Sequence, residues 1–174
     1  MSELTTLHDA ITATLSAAMP KVLHVEAFPE LDSKVRTPAL LYGLTDMSPG
    51  TDRGEGKTAL IGRFQSCILI DADRPKASLQ AAILAAQMAV ALKDQWWDLD
   101  FVLSAPTQIH AQPEAPTKEL EQFVMWSVQW IQEFEVGELE WPWPDEPPGS
   151  LLFGFSPDTG PGSEGDYTAP QALA

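Results

Sequence analysis

Residues 121–137 read EQFVMWSVQWIQEFEVG, and this stretch decides the fold of the chain. Apolar and aromatic side chains occupy every second position, and Gln132 is the one break in the alternation. Such alternation predicts a β-strand with one buried face. The predicted buried face consists of Val124, Trp126, Val128, Trp130, Phe134 and Val136. We therefore expect a long strand that anchors a sheet and ends at Gly137, with its tryptophans serving as core residues.

The hydrophobic pattern upstream of this strand predicts two helices and several further strands. Leucine and isoleucine at helical spacing predict a first helix over 3–18, capped by Ser2 and stopped by Pro20. The other predicted segments are a strand over 22–28, a polar connection over 29–36, a strand over 37–45, a loop over 46–58, a strand over 59–71, a helix from Asp73 to about Lys93, and a loop-like region over 104–119 in which 107–111 are compatible with a short strand.

The second helix is apolar around much of its circumference. Two stripes run along it, with alanines between them: Leu79, Ile83, Ala86 and Val90 form one, and Leu84, Met88 and Leu92 form the other. Small residues permit close approach to a sheet or to a neighbouring subunit. The strand over 59–71 is apolar on both faces in places, which favours a central position in the sheet. Gly62 within it predicts a bulge.

The composition changes after Gly137. Residues 139–174 are rich in proline and glycine, contain no basic residue, and show no periodic apolar face. We predict a domain over 1–138 followed by an extended C-terminal arm over 139–174. The large apolar residues of this arm include Trp141, Trp143, Leu151, Leu152, Phe153 and Phe155. These are interpreted either as anchors that dock on another surface or as part of a tail that folds back on its own domain.

Charge and composition bound the classes of function. The 174 residues carry a formal net charge of -15, and no Lys or Arg follows Lys118. A surface this acidic repels nucleic acid, because phosphate binding needs clustered cations. The single cysteine, Cys67, excludes an internal disulfide and is interpreted as a small core residue. The N-terminus lacks the basic region of a signal peptide, and no apolar run is long enough to span a bilayer, so we expect a soluble protein made in the cytosol.

The chemical motifs in the sequence are weak. The glycine pattern at Gly160, Gly162 and Gly165 lies in the proline-rich arm, where no strand and helix can frame a dinucleotide site. GEGKT at 54–58 precedes a predicted strand instead of the helix that a phosphate loop requires. Asp71 and Asp73 could hold a divalent metal, but the position of Asp73 near a helix N-terminus, where its negative charge is favoured, explains them better. The three histidines, His8, His24 and His110, lie on separate elements without ligand spacing. We predict no cofactor, no metal site and no catalytic residue.

The order of the elements resembles the tail terminator, or tail completion, proteins of long-tailed bacteriophages of the Mu-like and lambda-like groups. The resemblance covers about residues 3–138, and its most specific parts are the run WSVQW at 126–130, followed by Gln132, and the Pro-led strand TPALLYGL at 37–44. It implies an α/β (α+β) fold, in which a mixed, mainly antiparallel sheet is flanked by two main helices.

The resemblance also implies a function in the virion. Proteins of this kind form a homohexameric ring at the head-proximal end of the tail tube, where the ring stops tube polymerisation and offers a joining surface to the head connector. The implied partners are other copies of the chain, the tail tube protein and the connector, with DNA passing through the lumen unbound. The candidate interface residues are Arg53 and Lys57 in the loop and Trp141, Trp143, Phe153 and Phe155 in the arm.

Three alternatives stay open. The chain could be another neck or minor tail protein of similar fold, distinguished by its position in the particle. It could be a small acidic metal-dependent enzyme that uses Asp71 and Asp73; replacing both with Asn would then abolish activity. It could also be a soluble adaptor whose arm recruits a partner, in which case deletion of residues 139–174 would remove binding and spare the fold.

Overall fold

The structure, a computed structural model, describes residues 2–28, 35–51, 53–54 and 56–138. The chain divides into a compact unit, Met1–Glu140, and a second unit, Trp141–Ala174, which lies outside the described residues. The elements in chain order are α1 (Glu3–Ala18), β1 (His24–Ala27), β2 (Ala39–Pro49), β3 (Thr58–Asp71), α2 (Ala77–Leu92), β4 (Thr107–Glu114), a 3-10 turn (Lys118–Leu120) and β5 (Phe123–Val136).

The five strands form one sheet in the order β1-β2-β3-β5-β4. β1 runs parallel to β2, and every other neighbouring pair is antiparallel. The prediction of a mixed, mainly antiparallel sheet with two main helices is therefore confirmed. β3 occupies the centre of the sheet, as its two-sided apolar pattern predicted, and β5 pairs with it along its whole length, from Thr58 opposite Val136 to Asp71 opposite Phe123.

α1 begins and ends where its sequence predicted. The Ser2 side chain accepts a hydrogen bond from the Thr5 backbone N–H at 3.3 Å, which satisfies one of the free donors at the helix start. The buried stripe of α1 consists of Leu7, Ile11 and Leu15. After the helix, the N–H of Met19 donates to the Leu15 carbonyl at 3.0 Å, and Pro20 follows.

Both helices pack on the same face of the sheet. Buried residues of α1 and α2 belong to one hydrophobic core together with inward-facing residues of β2, β3 and β5. At its centre the rings of Phe64 and Trp130 stack with centroids 5.1 Å apart and planes 6° from parallel. On the opposite face, a smaller buried cluster of Ala39, Leu41, Leu69 and Met125 covers one end of the sheet.

Neither of the two helices in the described part of the chain is long and apolar enough to cross a membrane.

Gln132, the break in the alternation of β5, is fully buried on the inward face. Its side-chain oxygen accepts from Trp97 Nε1 at 2.8 Å, and its Nε2 donates to the carbonyls of Gln95 at 3.1 Å and Ser104 at 2.9 Å. These partners belong to the connection between α2 and β4. Residues 94, 97 and 98 in this connection have left-handed φ angles of 59°, 58° and 53°, which cost free energy for residues with a Cβ. The hydrogen bonds of the Gln132 side chain thus hold this strained turn against the core.

Several predicted boundaries need correction. The prediction of a loop over 46–58 is wrong at its start, because β2 continues to Pro49 and pairs there with Leu60. The register of β2 against β3 shifts between Leu44 and Asp46, so the irregularity lies in β2 and not at the predicted Gly62. Gly62 has a different role: a Cβ at this position would lie 2.8 Å from Phe134 Cε1, so the glycine makes room for core packing.

Other element boundaries in the structure differ from the predicted ones by a few residues. The first strand spans His24–Ala27 instead of 22–28, and α2 begins at Ala77, four positions after Asp73. The short strand over 107–111 extends to Glu114 and forms an edge of the sheet. Part of the predicted polar connection, residues 29–34, lies outside the described residues.

Candidate assembly surfaces

The outer face of α2 is apolar and open to solvent. Of the two stripes predicted on this helix, the one containing Leu84, Met88 and Leu92 packs on the sheet. The other stripe faces outward: Leu79, Ile83 and Val90 are 55%, 49% and 75% exposed, and Ala86 is also exposed. We call Leu79, Ile83, Ala86 and Val90 the α2 stripe.

The sixteen residues of α2 include no Asp, Glu, Lys or Arg. A surface helix of a globular protein ordinarily carries charged or polar residues on its outer face, and a helix that is apolar all round is ordinarily buried. Positively charged side chains lie beside the N-terminal half of the α2 stripe. A cleft of about 400 Å³ beside the start of α2 is lined by Lys21, Leu23, Arg74 and Ile83, and no acidic residue is among the described residues that line it. Leu23 is 64% exposed and extends the apolar area.

A second apolar surface lies between the first half of α1 and the outer edge of β2. β1 pairs with Ala39–Tyr42 only, so within the described residues the continuation of β2 from Gly43 has no strand on that side. The result is a cleft of about 710 Å³, which we call the acidic cleft. Its lining includes Leu4, His8, Asp9, Phe28, Leu44, Asp46 and Met47. Because Phe28 is 57% exposed and Met47 is 48% exposed, the cleft has an accessible apolar wall.

His8 forms part of the wall of the acidic cleft. Its ring contacts Phe28 edge-on, with centroids 4.7 Å apart, and lies 5.6 Å from the ring of Tyr42 and 6.0 Å from that of Phe64. Burial lowers the pKa of His8, and the nearby carboxylate of Asp9 opposes this shift. Its Nδ1 is buried and has no hydrogen-bond partner among the described residues. The ring therefore behaves as a neutral aromatic group in a mostly apolar setting.

Tyr42 links β2 to α1 through its hydroxyl group. Its hydroxyl donates to the His8 carbonyl at 2.7 Å and lies 2.8 Å from the Thr12 hydroxyl. Burial raises the pKa of Tyr42 to about 12, and the hydrogen bond from Thr12 opposes the shift. The position of α1 against β2 is thus fixed by a polar contact as well as by the core.

Two of the predicted interface residues, Arg53 and Lys57, meet at one acid of β5. Arg53 Nε lies 3.7 Å from Glu135 Oε1, and Lys57 Nζ lies 4.0 Å from Glu135 Oε2. Glu135 is 8% exposed in its side chain, while Arg53 is 52% exposed. The neighbouring Thr51 N–H also donates to Glu133 Oε1 at 3.2 Å. The described part of the loop is therefore attached to β5 at two acids, and the outer side of Arg53 remains accessible.

The four remaining predicted interface residues, Trp141, Trp143, Phe153 and Phe155, lie outside the described residues, as do Gly160, Gly162 and Gly165.

The positions of Asp71 and Asp73, the residues of the metal-site alternative, are explained by a turn. Asp71 Oδ1 accepts from the Asp73 backbone N–H at 3.1 Å, which forms the turn that leads from β3 toward α2. The described residues contain no group of three or more His, Cys, Asp or Glu side chains that could hold a metal ion.

Burial raises the pKa of the Cys67 thiol to about 12, with a smaller contribution from Glu114, so this thiol is a poor nucleophile.

The sequence contained a signal for the α2 stripe but none for the acidic cleft. A helix without charges between Lys76 and Lys93 is unusual for a helix on a monomer surface, and that absence is readable in the sequence. Phe28 and Met47 gave no such signal, because Phe28 was assigned to the end of the predicted strand over 22–28 and Met47 to the predicted loop over 46–58. No protein-family model matches this chain, and a search of curated proteins finds no significant match.

Proposed function

We propose that this chain is a structural protein of a bacteriophage virion. In this proposal it assembles with copies of itself into a ring at the head-proximal end of the tail tube, ends tube polymerisation there, and provides the surface that joins tail to head. The proposal starts from the resemblance of residues 3–138 to tail terminator proteins, with which the mixed, mainly antiparallel sheet and its two helices are compatible.

The observation that carries the proposal is the uncharged, outward-facing side of α2. Leu79, Ile83 and Val90 present apolar area to water along one helix face. Covering such area contributes about 25 cal/mol per Å² of free energy, so contact with another protein surface is favoured. A ring contact would cover this face in every copy. A monomeric protein, whether an enzyme or an adaptor, would leave the same face in water with no compensating gain.

The charge of the chain fits a ring through which DNA passes. The net charge is -15, and a ring multiplies that value by its number of copies. Acidic walls repel phosphate groups, so DNA would slide through such a lumen without specific binding. The exposed side of Arg53 remains available for contact with the tube or the connector.

The test is the assembly state of the purified protein, alone and with polymerising tail tube protein of the same virion. Light scattering gives the mass, and electron microscopy of negatively stained particles shows rings, capped tubes and tube lengths. We expect rings, or monomers that become rings at tube ends, and shorter tubes when the protein is present. A protein that stays monomeric in both conditions and leaves tube length unchanged would refute the proposal.

Matched variants make this test specific. Val90→Asp places a charge in the α2 stripe and should abolish rings and tube capping. Ala13→Asp introduces the same side chain at an exposed position of α1, away from the stripe, and should assemble like the natural protein. Equal effects of the two substitutions would show that general damage to a helix, and not loss of the stripe, explains the result.

A further inference from the structure

We infer that the contact between copies is heterologous: the α2 stripe of one copy docks in the acidic cleft of the next. This inference rests on the proposed function in one respect, namely that the chain assembles with itself. The inference names the two surfaces that meet, which the proposed function leaves open. Because these are two different patches, the contact is head to tail and can close into a ring.

The two surfaces match in shape and polarity. The α2 stripe is the convex outer face of a helix, whereas the acidic cleft is a groove of about 710 Å³ between a helix and a strand edge. Both have an apolar centre with exposed residues, namely Ile83 and Val90 on the ridge and Phe28 and Met47 in the groove. A helix that lays its apolar face into an apolar groove is a recurring mode of recognition.

The charged side chains that line the two clefts are opposite in sign. Asp9 and Asp46 line the acidic cleft, and no Lys or Arg is among the described residues that line it. Lys21 and Arg74 line the cleft beside the stripe, and the lining residues described there include no Asp or Glu. In a chain with 25 acids and 10 bases, cations collected beside one apolar face indicate a partner of negative charge. The acidic cleft of a second copy has that charge.

The two surfaces lie at opposite ends of α1. The acidic cleft is lined by residues from Leu4 to Asp9, and a shallow cleft beside the stripe is lined by Ala18 together with Ile83 and Val90. At about 1.5 Å of helix rise per residue, these ends are ~15 Å apart. The two surfaces have no lining residue in common, so a copy docked at one does not occupy the other. A contact of stripe with stripe would instead stop at a dimer, which could not form a ring of more than two copies.

Two complementary variants test the inference. Ile83→Asp combined with Val90→Asp disables the stripe and leaves the acidic cleft intact. Asp46→Lys combined with Met47→Ser disables the cleft and leaves the stripe intact. All four positions are exposed, so both proteins should fold, which circular dichroism and thermal melting would verify. Each variant alone should be monomeric. An equimolar mixture should form a dimer of about twice the 19.0 kDa monomer mass and nothing larger, because one functional contact remains.

Sedimentation velocity of the natural protein, each variant and the mixture separates the outcomes. A dimer found in the mixture alone supports the inference. Rings in either variant, or a mixture that stays monomeric while the natural protein forms rings, would overturn the inference and leave the proposed function standing. Dimers in the mixture without any effect of the natural protein on tail tubes would refute the proposed function and leave the inference standing. A natural protein that is monomeric under every condition, tail tubes included, overturns both.

Discussion

Replacing Gln132 with Leu should strongly destabilise the domain, although the new side chain is apolar, of similar size and placed in a hydrophobic core. The substitution removes every hydrogen bond of the Gln132 side chain. It leaves Trp97 Nε1, which belongs to a buried residue, without its acceptor, and it leaves the carbonyls of Gln95 and Ser104 without this donor. A sequence-based view that favours strict alternation in β5 would predict the opposite result, namely a gain in stability.

The magnitude follows from the partners that lose their hydrogen bonds. Each buried polar group without a partner costs about 1–3 kcal/mol, and the groups on one side chain do not add fully. We expect a loss of about 3–5 kcal/mol, which is a large part of the ~5–15 kcal/mol stability of an ordinary domain. The strained turn over residues 94–98 should loosen as well, because Gln132 holds it against β5.

The assay is urea unfolding followed by circular dichroism, at one fixed protein concentration. Gln129→Leu is the matched control: the same substitution on the same strand, at a half-buried position on the opposite face, where a change within about 0.5 kcal/mol is expected. Hydrogen exchange should show faster exchange over residues 95–104 in Gln132→Leu than in the control. A loss of unfolding free energy below ~1 kcal/mol, or equal losses for the two variants, would refute the conclusion that Gln132 holds this turn in place.

Three further substitutions test other parts of the structure. Gly62→Ala should lower the free energy of unfolding by about 1–3 kcal/mol, because its Cβ would collide with the ring of Phe134; unchanged urea unfolding would contradict this. Burial lowers the pKa of His8, so below about pH 6.5 the unfolded chain binds a proton that the folded chain does not, and stability should fall as the pH drops from 7 to 5. His8→Phe should show a weaker decline over the same range in melting experiments, and parallel curves would refute the assignment. Glu135→Gln removes the acid that holds Arg53, so limited trypsin digestion should cleave after Arg53 faster than in the natural protein, with a stability loss of only about 1 kcal/mol because Arg53 is half exposed.

Local pattern was sufficient for most of the fold. The alternation in 121–137 gave β5, and helical spacing with Ser2 as cap gave α1 to the residue. Both signals are local, because each depends on the periodicity of one segment and on its end residues. The central position of β3 also followed from a local property, since a strand covered on both faces has little need of a polar face.

Features that depend on distant partners were missed. Asp46 to Pro49 have the composition of a turn, yet pairing with β3 extends β2 through them. Gln132 interrupts the apolar alternation of β5, and its partners lie between 28 and 37 positions upstream, beyond the range of any periodic pattern. The sequence also showed two stripes on α2 without showing which one faces the sheet. Which side is buried depends on the arrangement of the whole core.

The pairing of β3 with β5 has a consequence for synthesis of the chain on the ribosome. β3 ends at Asp71, but its partner is complete only at Val136, about 65 residues later. At roughly 5–20 residues per second, the ribosome needs ~3–13 s to supply that partner. During this interval the β2–β3 hairpin has a bare edge of fourteen residues, and bare edges invite pairing with other chains. The nascent chain therefore exposes an edge that can pair with other chains before the strand that will cover this edge has been made.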